Sequence, residues 1–233
     1  MKTSQPPAHD IPLPPALRTA IERDLRPVQS LAPPSRRVVP LVPMGVALLL
    51  ASVLAFGVRA DASILGLILT WGASILQMAL GLVVMTAALR EAVPGSALTR
   101  RTIAVIGGTV LFVVLGITWA TWWTSPTTIR PAVAGYVWRI CVAGTVLSAL
   151  PALFLSSWLV TRAFPLRPRL AGALYGLGAG LLADAGWRLF CHYSDPAHVL
   201  GAHSLAIVIA ILLGISVAHL LDSRRFGPRR IGS

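Results

Sequence analysis

Residues 100–122 read RRTIAVIGGTVLFVVLGITWATW. Two arginines open the stretch, and no charged residue follows from Thr102 to Trp122. A helix needs roughly 20 such residues to cross a hydrocarbon core of about 30 Å. Barrel strands are about half that length and alternate apolar with polar residues, which this run does not. Lipid offers no partner for backbone N–H and C=O groups, and a helix satisfies them internally. The run therefore predicts a membrane-spanning helix.

Five more runs of this kind flank it: Val39–Val58, Ile64–Leu89, Ile140–Val160, Leu170–Phe190 and Leu200–Leu221. The fold expected is an all-α integral membrane protein with six transmembrane helices. Composition agrees. Charged residues make up 12% of the chain, about half the share usual in a soluble domain. Three regions follow: an arm over residues 1–38, a six-helix domain over 39–222 and a basic tail over 223–233.

A net charge of +12 is compatible with nucleic-acid binding, but its distribution points elsewhere. The basic residues flank the apolar runs instead of forming one patch. One side of a six-span arrangement receives Lys2, Arg18, Arg23, Arg26, Arg36 and Arg37. It also receives Arg90, Arg100, Arg101, Arg162, Arg167, Arg169, Arg224, Arg225, Arg229 and Arg230. The other side receives Arg59, Arg130, Arg139 and Arg188. The positive-inside rule then puts both ends in the cytoplasm, as in a bacterial inner membrane. Trp122, Trp123, Trp138 and Trp187 fall at the outer interface, where aromatic belts sit. Arg36-Arg37 ahead of an apolar run mimics a twin-arginine signal, but five further spans argue against cleavage.

In the arm, Leu17, Ile21 and Leu25 recur every four residues and share one face of a short amphipathic helix. Pro14 and Pro15 suit its start, and Pro27 ends it at or before Arg26. A helix of about ten residues is marginal alone in water. Either it rests on lipid through its basic residues, or it docks in a partner's groove and orders there.

The two cysteines, Cys141 and Cys191, fall at one level. The first lies at the outer start of the fourth span and the second at the outer end of the fifth. His192, Asp195, His198 and His203 are close in sequence to the second. Thiolates and imidazoles ligate zinc, cadmium and similar ions, so Cys141, Cys191, His192 and His198 are the candidate metal residues. Thiols also exchange disulfides and react with oxidants. Three readings stay open: two inert buried residues, a structural disulfide, or a switchable sensor of metal or oxidant. A resident cofactor is not expected.

Asp184 and Arg188 stand four apart in the fifth span and can neutralise each other. Gln77, His203 and His219 read as isolated. Gly172, Gly176 and Gly180 form a ladder that lets helix backbones approach, within the bundle or across a homodimer. No phosphate loop, HExxH motif or Ser/His/Asp grouping is present, and no enzyme activity is expected.

Several stretches resemble the NrsF-type family of six-span bacterial membrane proteins, negative regulators of extracytoplasmic-function sigma factors. They are Asp24-Leu25-Arg26-Pro27-Val28, Leu31-Ala32-Pro33-Pro34 with Arg36-Arg37, and Cys141 followed by Ser148-Ala149-Leu150-Pro151. Arg167-Pro168-Arg169-Leu170-Ala171-Gly172-Ala173 leading to Cys191 and Ser194-Asp195-Pro196-Ala197 completes the likeness. The resemblance implies that the arm, through Leu17, Ile21, Leu25 and Val28, holds a sigma factor away from RNA polymerase. It also implies that Cys141 and Cys191 sense metal or oxidative stress. The implied partners are an extracytoplasmic-function sigma factor and membrane lipid, with no direct nucleic-acid contact. The sequence departs from the family in a longer proline-rich lead before Ala16 and in the stretch after Pro196 that holds His198 and His203. A membrane thiol–disulfide relay or a transporter is the alternative.

Overall fold

The computed structural model describes residues 14–24, 31–125, 135–163 and 165–226. Leu25 and Val28 of the expected partner surface, Arg130, and Arg229 and Arg230 of the basic tail lie outside the described residues. All regular structure among the described residues is helical.

Residues 1–31 form a unit of their own. Within it, α1 spans Pro15–Asp24. The Pro14 carbonyl accepts from the Leu17 and Arg18 amides at 2.9 and 3.1 Å, and Pro15 needs no amide partner in the first turn. No residue of α1 is buried, and Leu17 and Ile21 are both exposed.

The second unit, residues 32–233, holds the remaining helices. They are α2 (Pro34–Arg37), α3 (Leu41–Phe56), α4 (Ala62–Leu67), α5 (Ala73–Glu91), α6 (Arg100–Thr124), α7 (Gly135–Thr161), α8 (Pro168–Phe190), α9 (Pro196–His198) and α10 (Ser204–Phe226). Boundaries follow local chemistry. Pro40 lacks an amide and separates α2 from α3. Gly57, at φ 81°, terminates α3 in a conformation that disfavours other residues. The Thr99 side chain caps α6 by accepting from the Thr102 amide at 3.1 Å. The second run is not one regular helix. Gly66 breaks α4 at φ 70°, and a π-helical turn over Ile68–Gly72 joins it to α5.

Among the described residues, five stretches are long and apolar enough to cross a membrane: Pro34–Phe56, Ala62–Glu91, Arg100–Thr124, Gly135–Thr161 and Pro196–Arg224. Their outward faces carry Leu54, Ile68, Phe112 and Phe154, each at least 75% exposed. A surface this apolar fits a membrane protein. α8 is not among the five, and its position explains why. It packs against α3, α5, α7 and α10, and seventeen of its 23 residues are buried. A helix wrapped by others need not be apolar all round; it needs small residues where neighbours approach. A Cβ on Gly172 or Gly176 would stand 2.6 or 2.5 Å from α10 carbonyl oxygens, and one on Gly178 would stand 2.5 Å from Met85 of α5. The glycine ladder therefore packs inside the bundle.

Polar ties mark the two ends. At one end the Arg37 guanidinium, buried, donates to the Leu89 carbonyl of α5 and the Leu159 carbonyl of α7. There too Arg167 pairs with Glu91 at 2.6 Å, and Glu91 accepts from the Leu98 amide at 2.7 Å. At the other end Arg59 pairs with Asp61 at 2.5 Å and donates to Ser194 at 2.6 Å. Arg37 and Arg59 are thus integral parts of the packing as well as flanking charges. Two of the expected interfacial tryptophans also turn inward. Trp187 is buried and donates to Ser148 at 3.0 Å, and Trp138 lies over Gly201. Trp119, Trp122 and Trp123 cluster together instead, with Trp119 and Trp123 exposed.

Candidate functional site

Cys141 lies two turns into α7, and Cys191 caps the C-terminus of α8. Asp195 and Pro196 then start the next helix. The Asp195 carboxylate accepts from the His198 amide at 3.0 Å, and Pro196 takes the first helical position. Between α9 and α10 the chain makes a π-helical turn over Val199–His203. In a regular α-helix, residues five apart point about 140° away from each other. A π turn bonds i to i+5 and brings them onto one side. His198 and His203 accordingly face each other, with ring centroids 5.4 Å apart.

These elements converge. The Cys141 and Cys191 sulfurs are 3.9 Å apart and unbridged. The Cys191 Sγ is 3.5 Å from His198 Nε2. One ligand atom from each of Cys141, Cys191, His198 and His203 lies within 4.8 Å of the others, and all four residues are buried. Trp138 stands edge-on to His198 with centroids 5.6 Å apart. Lacking a side chain, Gly201 leaves room for that indole. A narrow, partly open pocket lined by Arg59, Arg188, Tyr193 and Ser194 reaches Cys191 and His203. Partial burial, then the neighbouring Tyr136, Cys191 and Cys141, push the Tyr193 phenol above its ordinary value.

Beneath the cluster lies a hub around Asp184, which is wholly buried. Its carboxylate accepts from Gln77 Nε2 of α5 at 2.6 Å, from Arg188 Nε at 3.1 Å and from His203 Nδ1 at 2.5 Å. Arg188 also donates to the Thr118 hydroxyl of α6 at 3.4 Å. Asp184 and Arg188 do pair as their spacing predicts, but Gln77 and His203 are not isolated.

The cluster differs from the expected set of metal residues. His192 is outside the cluster; its ring stacks on Tyr193 at 4.4 Å. His203 takes its place, and Asp195 serves the backbone. Spacing alone concealed His203, because five residues on an α-helix read as opposite faces. The arrangement is able to ligate a soft or borderline metal ion, or to close a disulfide after the sulfurs approach.

Apolar helices around a buried polar hub and a thiol–imidazole cluster define the class as a helical protein of the membrane type. The family described as negative regulator of sigma F, NrsF, matches residues 22–221. The chain belongs to that family and is a negative regulator of a sigma factor. No curated protein and no solved structure matches it.

Proposed function

We propose that this chain is an inner-membrane anti-sigma factor that crosses the bilayer six times with both ends in the cytoplasm. It holds an extracytoplasmic-function sigma factor on the apolar face of its arm, through Leu17, Ile21, Leu25 and Val28. It releases the sigma factor when metal or oxidant acts at Cys141 and Cys191. The observation that carries this reading is the family match from residue 22 to residue 221, which begins in the last turn of α1 and takes in nearly all of the helical unit. α8 is the sixth crossing: 23 residues reach about 35 Å at 1.5 Å each, and its mid-helix Asp184 and Arg188 face protein. The distribution of Lys and Arg supports the orientation.

Release requires that the signal favour one state over another. A hundredfold loss of sigma affinity corresponds to about 2.7 kcal/mol of coupling. α7 offers a route, since it carries Cys141 near its start and, near its end, the Leu159 carbonyl bonded by Arg37. A thiol–disulfide relay is disfavoured because it needs a redox partner, and the sequence has one cysteine pair and no quinone or cofactor motif.

The test is co-purification of the full chain, in detergent, with extracytoplasmic-function sigma factors. Burying a leucine or isoleucine side chain contributes about 1.5–3 kcal/mol, so Leu17→Asp and Ile21→Asp should each weaken binding about 10–100-fold. A wild-type chain that captures no such sigma factor, or a double variant that binds unchanged, refutes the reading.

A further inference from the structure

Two thiols and two imidazoles buried together need an account beyond packing. His203 Nδ1 is committed to Asp184, while its Nε2 is buried with no hydrogen-bond partner. A buried polar atom left unpaired costs about 1–3 kcal/mol. An imidazole that donates through Nδ1 to a carboxylate presents its Nε2 lone pair outward. That is the tautomer a metal ion takes, held by the outer-shell carboxylate that commonly orients metal-binding histidines.

The distances agree with an ion. Tetrahedral coordination with metal–sulfur bonds of about 2.3 Å and metal–nitrogen bonds of about 2.0–2.1 Å separates two sulfurs by about 3.8 Å. The same geometry separates a sulfur from a nitrogen by about 3.5 Å. The protein has 3.9 Å between Cys141 and Cys191 Sγ, and 3.5 Å between Cys191 Sγ and His198 Nε2. The widest ligand separation, within 4.8 Å, closes by about an ångström as an ion draws its ligands in.

We propose that Cys141, Cys191, His198 and His203 form a tetrahedral site for a divalent d10 ion of the zinc and cadmium type, with Asp184 as its positioning residue through His203. Two sulfur and two nitrogen donors select such ions over magnesium, calcium or manganese. Binding displaces the two thiol protons to water and forms two metal–sulfur and two metal–nitrogen bonds, with no change of oxidation state. Two thiolates cancel the dication, and Arg188 offsets Asp184, so no net charge is left buried. The ion ties α7, the end of α8 and the start of α10 together. The Asp184 hub extends that tie to α5 and α6. As a sensor the site rests on the function proposed above; as a metal centre it stands on its own geometry.

The experiment titrates the metal-free, reduced full chain in detergent with cadmium and, separately, cobalt. One ion per chain is expected, with thiolate-to-cadmium charge-transfer absorption and intense visible cobalt bands of a tetrahedral site. Cys191→Ser, His198→Gln and His203→Gln should each lower affinity at least about tenfold, whereas His192→Gln should leave it unchanged. Asp184→Asn should lower it about 10–100-fold. Gln77→Leu, which removes another partner of the same carboxylate, should stay within about twofold; a purely structural role would make these two variants alike. X-ray absorption of the zinc-loaded wild-type chain provides a measurement free of folding defects and should show two sulfur and two nitrogen neighbours. No binding by the wild type, a shell without nitrogen, or histidine variants that bind as tightly as the wild type overturns the site. Sigma binding is scored separately, so its failure with metal binding intact removes the proposed function alone.

Discussion

Replacing Asp184 by leucine offers a sharp test of the hub. The carboxylate is fully buried and bonded to Gln77, Arg188 and His203. Ordinary interhelical hydrogen bonds in membranes average about 0.6 kcal/mol, because the unfolded chain also finds partners there. Two such bonds, to Gln77 and His203, would account for about 1.2 kcal/mol. Arg188 is a different matter. It is 8% exposed, so removing Asp184 leaves a guanidinium buried among helices without its anion. Stripping one partner from a buried ion pair costs about 3–5 kcal/mol, whereas replacing both with apolar residues is often neutral. The charge effect exceeds the bonds. Asp184→Leu should therefore cost about 3–5 kcal/mol, and Asp184→Leu with Arg188→Leu only about 1–2 kcal/mol. Unfolding of the purified, metal-free chain by SDS, followed by helicity and tryptophan fluorescence, measures both; Trp187 lies beside Arg188 in sequence. A single variant within about 1 kcal/mol of wild type would place the hub on the ordinary hydrogen-bond scale. A double variant no better than the single would contradict the trapped-charge argument.

Two further outcomes use the same assay. Gly176→Leu should cost about 1–3 kcal/mol, since a Cβ there would stand 2.5 Å from the Ala210 carbonyl oxygen, while Gly107→Leu, with nothing within 4 Å, should be close to neutral. Arg37→Ala should cost about 1.5–3 kcal/mol through its lost bonds to the Leu89 and Leu159 carbonyls.

Much of the fold was readable one window at a time. Apolar runs and Pro14-Pro15 as a helix start act within a few residues of themselves. The Leu17 and Ile21 stripe is likewise local, and α1 leaves both side chains exposed. The candidate site was readable in part. Cys141, Cys191 and His198 were evident as ligand types near one level of the bundle. His192 was the natural fourth choice, because sequence proximity stood in for direction.

What the sequence by itself determined is where helices run and which chemistry is available, because propensity, capping and hydrophobic period are short-range. Tertiary structure alone decided which groups meet. Asp184 reaches Gln77 across 107 positions and His203 across 19, and no local period encodes either contact. The π turn at Val199–His203 swings His203 towards His198 and the cysteines. The central place of α8 also required the whole bundle. Its glycines, Asp184 and Arg188 look poorly suited to lipid in a linear reading, and they fit because four other helices, not lipid, surround them.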